Sequence, residues 1–389
     1  MKPIVVLGSG LAGYTLVREL RKLDRDVAIT LITRDSGDFY SKPMLSNALA
    51  QGKSAEMLVI TAAAEMAVQL DFTLLQNTEV SGIAREHKQL QTSSGTIEYD
   101  RLVLALGADP IRLPLQGDAA DAVLSVNDLA DYAKFRGALE SATPGVKHIA
   151  IIGAGLIGCE FANDLATAGY AATIIDPTTH PLSSLMPEHA GKQLLEPLAA
   201  LGVTGRFGVA VQAVDRQSTG YALTLTDGTT LYADLVLSAV GLRPRVDLAR
   251  SSGLAVNRGI VVDAHMRSSD ASIYALGDCA EIEGRVQPYV LPIMHAARAL
   301  AQVLAGKDAR VDFPSMPVVV KTPAHSIVVL PVERDAIGAW RILTNDQKTK
   351  RGIKLGFFDA QNKLRGFALT GEYAAERSAM TKLLGESVI

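Results

Sequence analysis

The sequence is poor in the groups from which many reactive sites are built. Its 389 residues include only two cysteines, Cys159 and Cys279, well separated in the chain. Two isolated thiols supply neither a disulfide framework nor a metal-ligand cluster, and they suit a reducing compartment. The seven histidines are scattered without metal-site or triad spacing, so metal-assisted and nucleophilic catalysis find no support. An excess of either charge is missing too: 38 Lys and Arg face 41 Asp and Glu, a formal net charge of −3, which offers nucleic acid no bulk attraction. No apolar run approaches the roughly 18 unbroken residues of a spanning helix. The apolar start after Lys2 is interrupted by Gly8, Gly10 and Gly13, which argues against a signal peptide and for a cytoplasmic, folded chain. With 48% hydrophobic and 20% charged residues the composition is that of a globular protein, and the length suggests two to three domains.

Glycine is plentiful, and its placement is informative. Residues 3–7 form an apolar, β-branched run that leads into GSGLAG at 8–13, a helical pattern over 14–22 and a second apolar run over 27–33. The same order recurs: residues 148–152, GAGLIG at 153–158, a helical pattern over 159–168 and an apolar run over 172–175. Strand, G-x-G-x-x-G, helix, strand is the context in which such glycines bind a dinucleotide. The first permits a tight turn, the second admits a pyrophosphate against the backbone, and the third lets helix and strand pack closely. The helix N-terminus then presents free N–H groups to the phosphates. One copy alone is a weak signal, whereas two complete copies are a specific one.

The strand ends distinguish the copies. Asp176 closes the second, where a carboxylate can accept hydrogen bonds from ribose hydroxyls and repels a 2′-phosphate. No Lys or Arg follows between Pro177 and Pro187, so NADH is expected over NADPH. In the first copy the strand runs into Thr33-Arg34-Asp35, so the acid is displaced and a guanidinium is available for an adenine. Three further strand-like runs end in turns: 102–105 before Gly107, 235–240 before Gly241, and 273–276 before Gly277-Asp278. The first two read as chain crossings, and the third offers an acid suited to a polyol hydroxyl.

In this order the segments resemble the flavoprotein reductases with two dinucleotide-binding domains, the glutathione-reductase-like group that includes ferredoxin and rubredoxin reductases. Within it the chain is most similar to the NADH-dependent rubredoxin reductases, with the flavorubredoxin reductases as close relatives. The residues that carry the resemblance are YSKPMLS at 40–46, GLIGCEFANDLA at 155–166, SAVGLRPR at 238–245, GLAVNRGIVVD at 253–263, IYALGDCAEI at 273–282 and VKTPA at 320–324. The resemblance implies an α/β fold of two Rossmann-like domains plus a C-terminal α+β domain. The FAD domain would comprise 1–112 and 245–320, with the NADH domain, 113–244, inserted and a cap over 321–389. Strands over 352–358 and 366–370 and a closing helix over 373–384 are expected in that cap.

The same resemblance assigns residues. Gly8, Ser9, Gly10, Leu11, Ala12 and Gly13 would surround the FAD pyrophosphate, Arg34 and Asp35 the adenosine, and Val80 the adenine. Asp278 matches a ligand of the ribityl chain, Lys42 and Glu160 match a Lys and Glu facing each other beside the isoalloxazine, and Val290 and Lys321 match positions at its pyrimidine end. Gly153, Gly155, Gly158, Asp176 and Gly241 match the NADH site. Two departures stand out: Leu106 replaces a common Thr, and Asp35 replaces a strand-end Glu at a shifted position.

Disulfide reductases of this architecture need a cysteine pair near the flavin, and this chain has Ser41 and Lys42 there instead. Both cysteines are expected to be buried core residues, and electrons must leave the flavin directly for another molecule. NADH delivers two electrons together while a rubredoxin iron accepts one, so FAD is the natural converter and a transient partner complex is expected. Lys321 would stabilise negative charge on the reduced flavin. Lys42 and Glu160 either satisfy two desolvated charges or orient the nicotinamide. Arg243 and Arg245 read as exposed, unranked docking charges. The implied activity is that of a rubredoxin-NAD(+) reductase supplying an alkane hydroxylase or an oxygen- or nitric-oxide-reducing system. A ferredoxin reductase and a slow-turnover redox-responsive binding protein are the rivals.

Overall fold

A computed structural model describes residues 2–141, 147–333, 335–343 and 351–386. The chain forms two compact units. The first comprises Met1–Lys42, Met57–Asp109 and Leu242–Pro314, and the second Pro43–Glu56, Pro110–Gly241 and Ser315–Ile389.

The first unit is built on a parallel five-stranded sheet in the order Ile273–Ala275, Arg101–Leu104, Ile4–Leu7, Ile29–Ile32, Thr73–Leu75. Ile4–Leu7 lies at its centre and is buried at every position, which is why it reads as an unbroken apolar run rather than an alternating one. The strand Ile273–Ala275 comes from far down the chain and completes the sheet, with Leu102 N–H donating to Ser272 O at 2.9 Å. The helix Leu11–Leu23 buries Tyr14, Leu16, Val17 and Leu20 and packs against the helix Val290–Leu304. An antiparallel meander, Val80–Ala84, Gln89–Thr92 and Gly95–Glu98, follows the edge strand.

The second unit repeats the parallel pattern in the order Val203–Phe207, Ala171–Asp176, His148–Ile152, Leu235–Ser238. It adds a three-stranded meander over 211–233 and an antiparallel five-stranded sheet, Val318–Val320, Ile327–Leu330, Leu364–Thr370, Lys354–Phe358, Ala339–Ile342. This last sheet shares a core with the helix Leu156–Thr167: Ile327, Val329, Leu355 and Ala368 join Phe161 and Leu165 in one buried cluster. Residues 315–389 therefore group with the second unit rather than standing apart as a third.

The expected closing helix is divided. A 3₁₀ segment occupies Gly371–Glu376, with Tyr373 buried in the core, and the α-helix is only Arg377–Lys382; such tighter turns are common at helix starts. No helix among the described residues is long and apolar enough to cross a membrane.

Candidate functional site

Both G-x-G-x-x-G segments form the same backbone shape. Gly8 has φ +116° and Gly153 φ +107°, a region glycine enters freely. Their N–H groups reach across to Ile32 O and Ile175 O at 2.9 and 2.8 Å. A Cβ on Gly13 would lie 1.9 Å from Gly8 O, and one on Gly158 2.0 Å from Gly153 O, so packing of helix on turn demands both glycines.

The middle glycines differ. Gly10 has φ −69° and Gly155 φ −72°, which any residue adopts. A Cβ on either would meet nothing within 4 Å. Neither backbone nor packing requires glycine there, so the cradle a side chain would fill is the feature that fits a closely approaching pyrophosphate. The helices that start at these points, Leu11–Leu23 and Leu156–Thr167, carry no side-chain cap and no acid in the first turn, leaving their N–H groups open to an anion.

In the first unit the loop after Ile29–Ile32 is drawn together by Asp35. Its Oδ1 accepts hydrogen bonds from Thr33 Oγ1 at 2.6 Å, Gly37 N–H at 2.9 Å and Ser9 Oγ at 3.3 Å. Backbone bonds from Asn77 N–H to Asp35 O and from Thr78 N–H to Thr33 O bring the start of Val80–Ala84 alongside. Arg34, Asp35, Ser9 and Val80 are thus gathered at one end of the glycine turn. At the other sequence end of the unit, Asp278 follows Gly277, whose φ is +79°. Burial raises the Asp278 carboxyl above the usual carboxylate range, although the Lys42 and Arg245 charges pull it down. Among the described residues no group hydrogen-bonds this carboxylate, so its acceptor capacity suits the hydroxyls of a polyol. Val290 opens the helix Val290–Leu304 and is exposed.

In the second unit the strand-end acid reaches back to its own glycine turn. Asp176 Oδ2 accepts from Ala154 N–H at 2.6 Å, and Oδ1 accepts from Thr178 N–H and Oγ1 at 2.8 and 2.6 Å. Gly241, at φ +111°, accepts a backbone bond from Ile111 N–H at 3.0 Å.

The helix Leu156–Thr167 has a polar face that sequence reading only partly found. Glu160 is fully buried, and its carboxylate takes three donors: Lys321 N–H at 2.9 Å, Lys321 Nζ at 2.8 Å and Ser46 Oγ at 2.6 Å. Lys321 Nζ also donates to Pro43 O and, at 3.3 Å, to Ser46 Oγ. One turn on, Asn163 Oδ1 accepts from Ala324 N–H, and Asp164 accepts from Leu49 and Ala50 N–H at 2.9 and 3.0 Å. Burial pushes the Asp164 carboxyl up against the opposing pull of those two N–H groups and the Lys321 charge. This set explains why 43–56 and 321–324 fold with the second unit. Lys321 is thereby a partner of Glu160, a pairing the sequence did not suggest; Asn163 and Asp164 were missed, although polar residues at i+3 and i+4 from Glu160 on an apolar helix are a signal for them, whereas Ser46, 114 residues from Glu160, gave none.

Both thiols are buried. Burial, with Asp176 and Glu160 nearby, pushes Cys159 far above its usual range, and burial pushes Cys279 up to about 11. Neither is poised as a thiolate. Arg245 leaves the set of docking charges: its Nε lies 2.6 Å from Asp109 Oδ1 and its guanidinium also donates to Leu106 O at 2.9 Å. Among the described residues no cluster of His, Cys, Asp or Glu could hold a metal.

Residues 2–302 match the family model of the pyridine nucleotide-disulphide oxidoreductases. The chain belongs to this family. Residues 310–384 match a second model, the rubredoxin-binding C-terminal domain. The chain is 45% identical to a rubredoxin-NAD(+) reductase of Alcanivorax borkumensis, over 99% of both chains. It is 38% identical to a nitric oxide reductase FlRd-NAD(+) reductase of Aliivibrio fischeri, over 95% of both. Among solved structures, the covalent putidaredoxin reductase–putidaredoxin complex is similar with a TM-score of 0.86 and 26% identity, over 99% of this chain and 94% of that one. The oxidoreductase family has cysteine-pair chemistry in its name, and both thiols of this member are buried and unbridged.

Proposed function

We propose that this chain is an FAD-dependent reductase that carries electrons from NADH to rubredoxin. The observation that carries the reading is the combination of two ligand-open glycine turns with a C-terminal segment of the rubredoxin-binding type. FAD, when bound, accepts a hydride as an electron pair and gives the electrons up singly, which a one-electron carrier requires. The residues of the chain hold and tune the reactants. In the first unit, Gly8 to Gly13 hold the pyrophosphate of FAD, Arg34, Asp35 and Val80 its adenosine, and Asp278 its ribityl chain. In the second, Gly153, Gly155, Gly158, Asp176 and Gly241 hold NADH. Lys42, Glu160, Val290 and Lys321 keep the flavin-directed roles their resemblance gives them, with Glu160 orienting the Lys321 ammonium. On this division, 1–112 and 245–320 serve FAD, 113–244 serve NADH and 321–389 serve the partner, in a cytoplasmic enzyme. The likeness to the FlRd-NAD(+) reductase makes the rubredoxin domain of a flavorubredoxin the second acceptor to test.

Rapid-mixing absorbance tests the reading. NADH should bleach the flavin within seconds, and rubredoxin should restore the oxidised spectrum far faster than a ferredoxin or oxygen. Equal reoxidation by all three would overturn the assignment of rubredoxin.

A further inference from the structure

We propose that Thr178 is a positioning residue that sets the preference for NADH by locking Asp176 into a pose with a single remaining acceptor site. The inference rests on the reading of Asp176 as the ribose-facing acid of the second unit. A carboxylate offers about four lone-pair positions. Asp176 Oδ1 has both of its own filled by Thr178, through the N–H at 2.8 Å and the Oγ1 at 2.6 Å. Oδ2 has one filled by Ala154 N–H, at 2.6 Å. What is left is one position, on Oδ2, beside the glycine turn.

The two-hydroxyl grip expected from the sequence thus becomes a grip on one ribose hydroxyl, with discrimination supplied by charge. A 2′-phosphate would meet a carboxylate that cannot swing away, since it is held from both sides. The Thr178 hydroxyl has an alternative acceptor, His180 O at 3.2 Å, but the shorter contact to the carboxylate is charge-assisted and dominates. With that hydroxyl removed, Asp176 keeps one backbone donor on each oxygen but loses the shorter of its two ties on Oδ1. Its charge persists while its aim is less closely fixed.

The test compares Thr178→Val, which keeps shape and backbone N–H but removes the hydroxyl, with Thr178→Ser, which keeps the hydroxyl. Dissociation constants for NAD+ and NADP+ are measured by calorimetry on the FAD-loaded protein, and kcat/KM for NADH and NADPH on the same samples. The lost bond is internal to the protein and reaches the nucleotide only through the aim of Asp176, so NAD+ binding should weaken roughly threefold to tenfold, less than the loss of a direct bond to a charged group. NADP+ binding should stay level or tighten, so the preference narrows, and the Ser variant should restore it. An equal loss for both nucleotides, or an unchanged preference, would overturn the proposal. Asp176→Asn, run in parallel, separates this from the underlying reading: an unchanged preference there would remove Asp176 from the ribose site, whereas a collapsed preference with Thr178→Val silent would reject the positioning role alone.

Discussion

The two glycine turns are nearly superposable in what they require of the backbone and different in what surrounds them. Each has a left-handed first glycine, an open second and a third whose Cβ would strike a carbonyl about 2 Å away. The divergence lies in the strand-end acid. Asp35 turns inward to gather Ser9, Thr33 and Gly37, which orders its own loop. Asp176 spans from the strand end to Ala154 in the glycine turn and to Thr178 beyond it. On the proposed reading, a shared backbone serves two nucleotides because the anion-binding part is made of main chain, while the part that chooses between ligands is made of side chains.

In the second unit the fully buried Glu160 of the turn helix pairs with the half-buried Lys321, and removing that carboxylate is the larger of two ways to sharpen the contrast. Glu160→Ala takes the acceptor from Lys321 N–H and the shortest acceptor from Ser46 Oγ, leaves the Lys321 ammonium only Pro43 O and Ser46 Oγ, and should cost about 3 kcal/mol of stability. Chemical denaturation followed by intrinsic fluorescence measures this. A loss below about 0.5 kcal/mol, the usual range for surface substitutions, would show that the pair is not structural.

The first unit supplies the smaller effect. Cys279 has its pKa raised from 9.0 to about 11 in the folded state, by burial. The folded protein holds the proton more tightly than the unfolded chain, so this contribution is fully present below about pH 9 and is lost as pH rises through about 11. Its size is on the order of 2 kcal/mol. Tyr14 and Tyr99, both pushed up to about 12, act with the same sign at slightly higher pH. The urea midpoint should fall between pH 8 and 11, less steeply in Cys279→Ala than in the parent chain; identical slopes would contradict the assignment to this thiol.

Most of the main-chain framework was legible because glycines, apolar runs and helical spacing are local signals. The helix bounds widened only slightly, to Leu11–Leu23 and Leu156–Thr167, once each first turn was counted as helix. What was not legible depends on distance along the chain. Glu160 meets Lys321 N–H across 161 residues and Ser46 Oγ across 114, and no spacing rule reaches that far. The residues 43–56 read as an extension of the first unit, yet Leu49 and Ala50 donate to Asp164 and draw them into the second. Arg245 read as a free surface charge because its partner, Asp109, lies on the other side of an inserted unit in sequence. The acid at each strand end was visible as a residue type, but which neighbours would occupy its lone pairs was not.

If the first open turn holds FAD and the second holds NADH, each site can be blocked without the other. Valine at either middle glycine meets ordinary backbone angles and empty space, so Gly10→Val and Gly155→Val should both fold. The decisive measurement is the flavin absorbance of the two purified variants before and after NADH. Gly10→Val should be colourless, while Gly155→Val should be yellow, bleached by dithionite and not bleached by NADH. A Gly155→Val protein that has lost its flavin beside a Gly10→Val protein that keeps it, or two variants that both bleach normally with NADH, would contradict that assignment of the two turns.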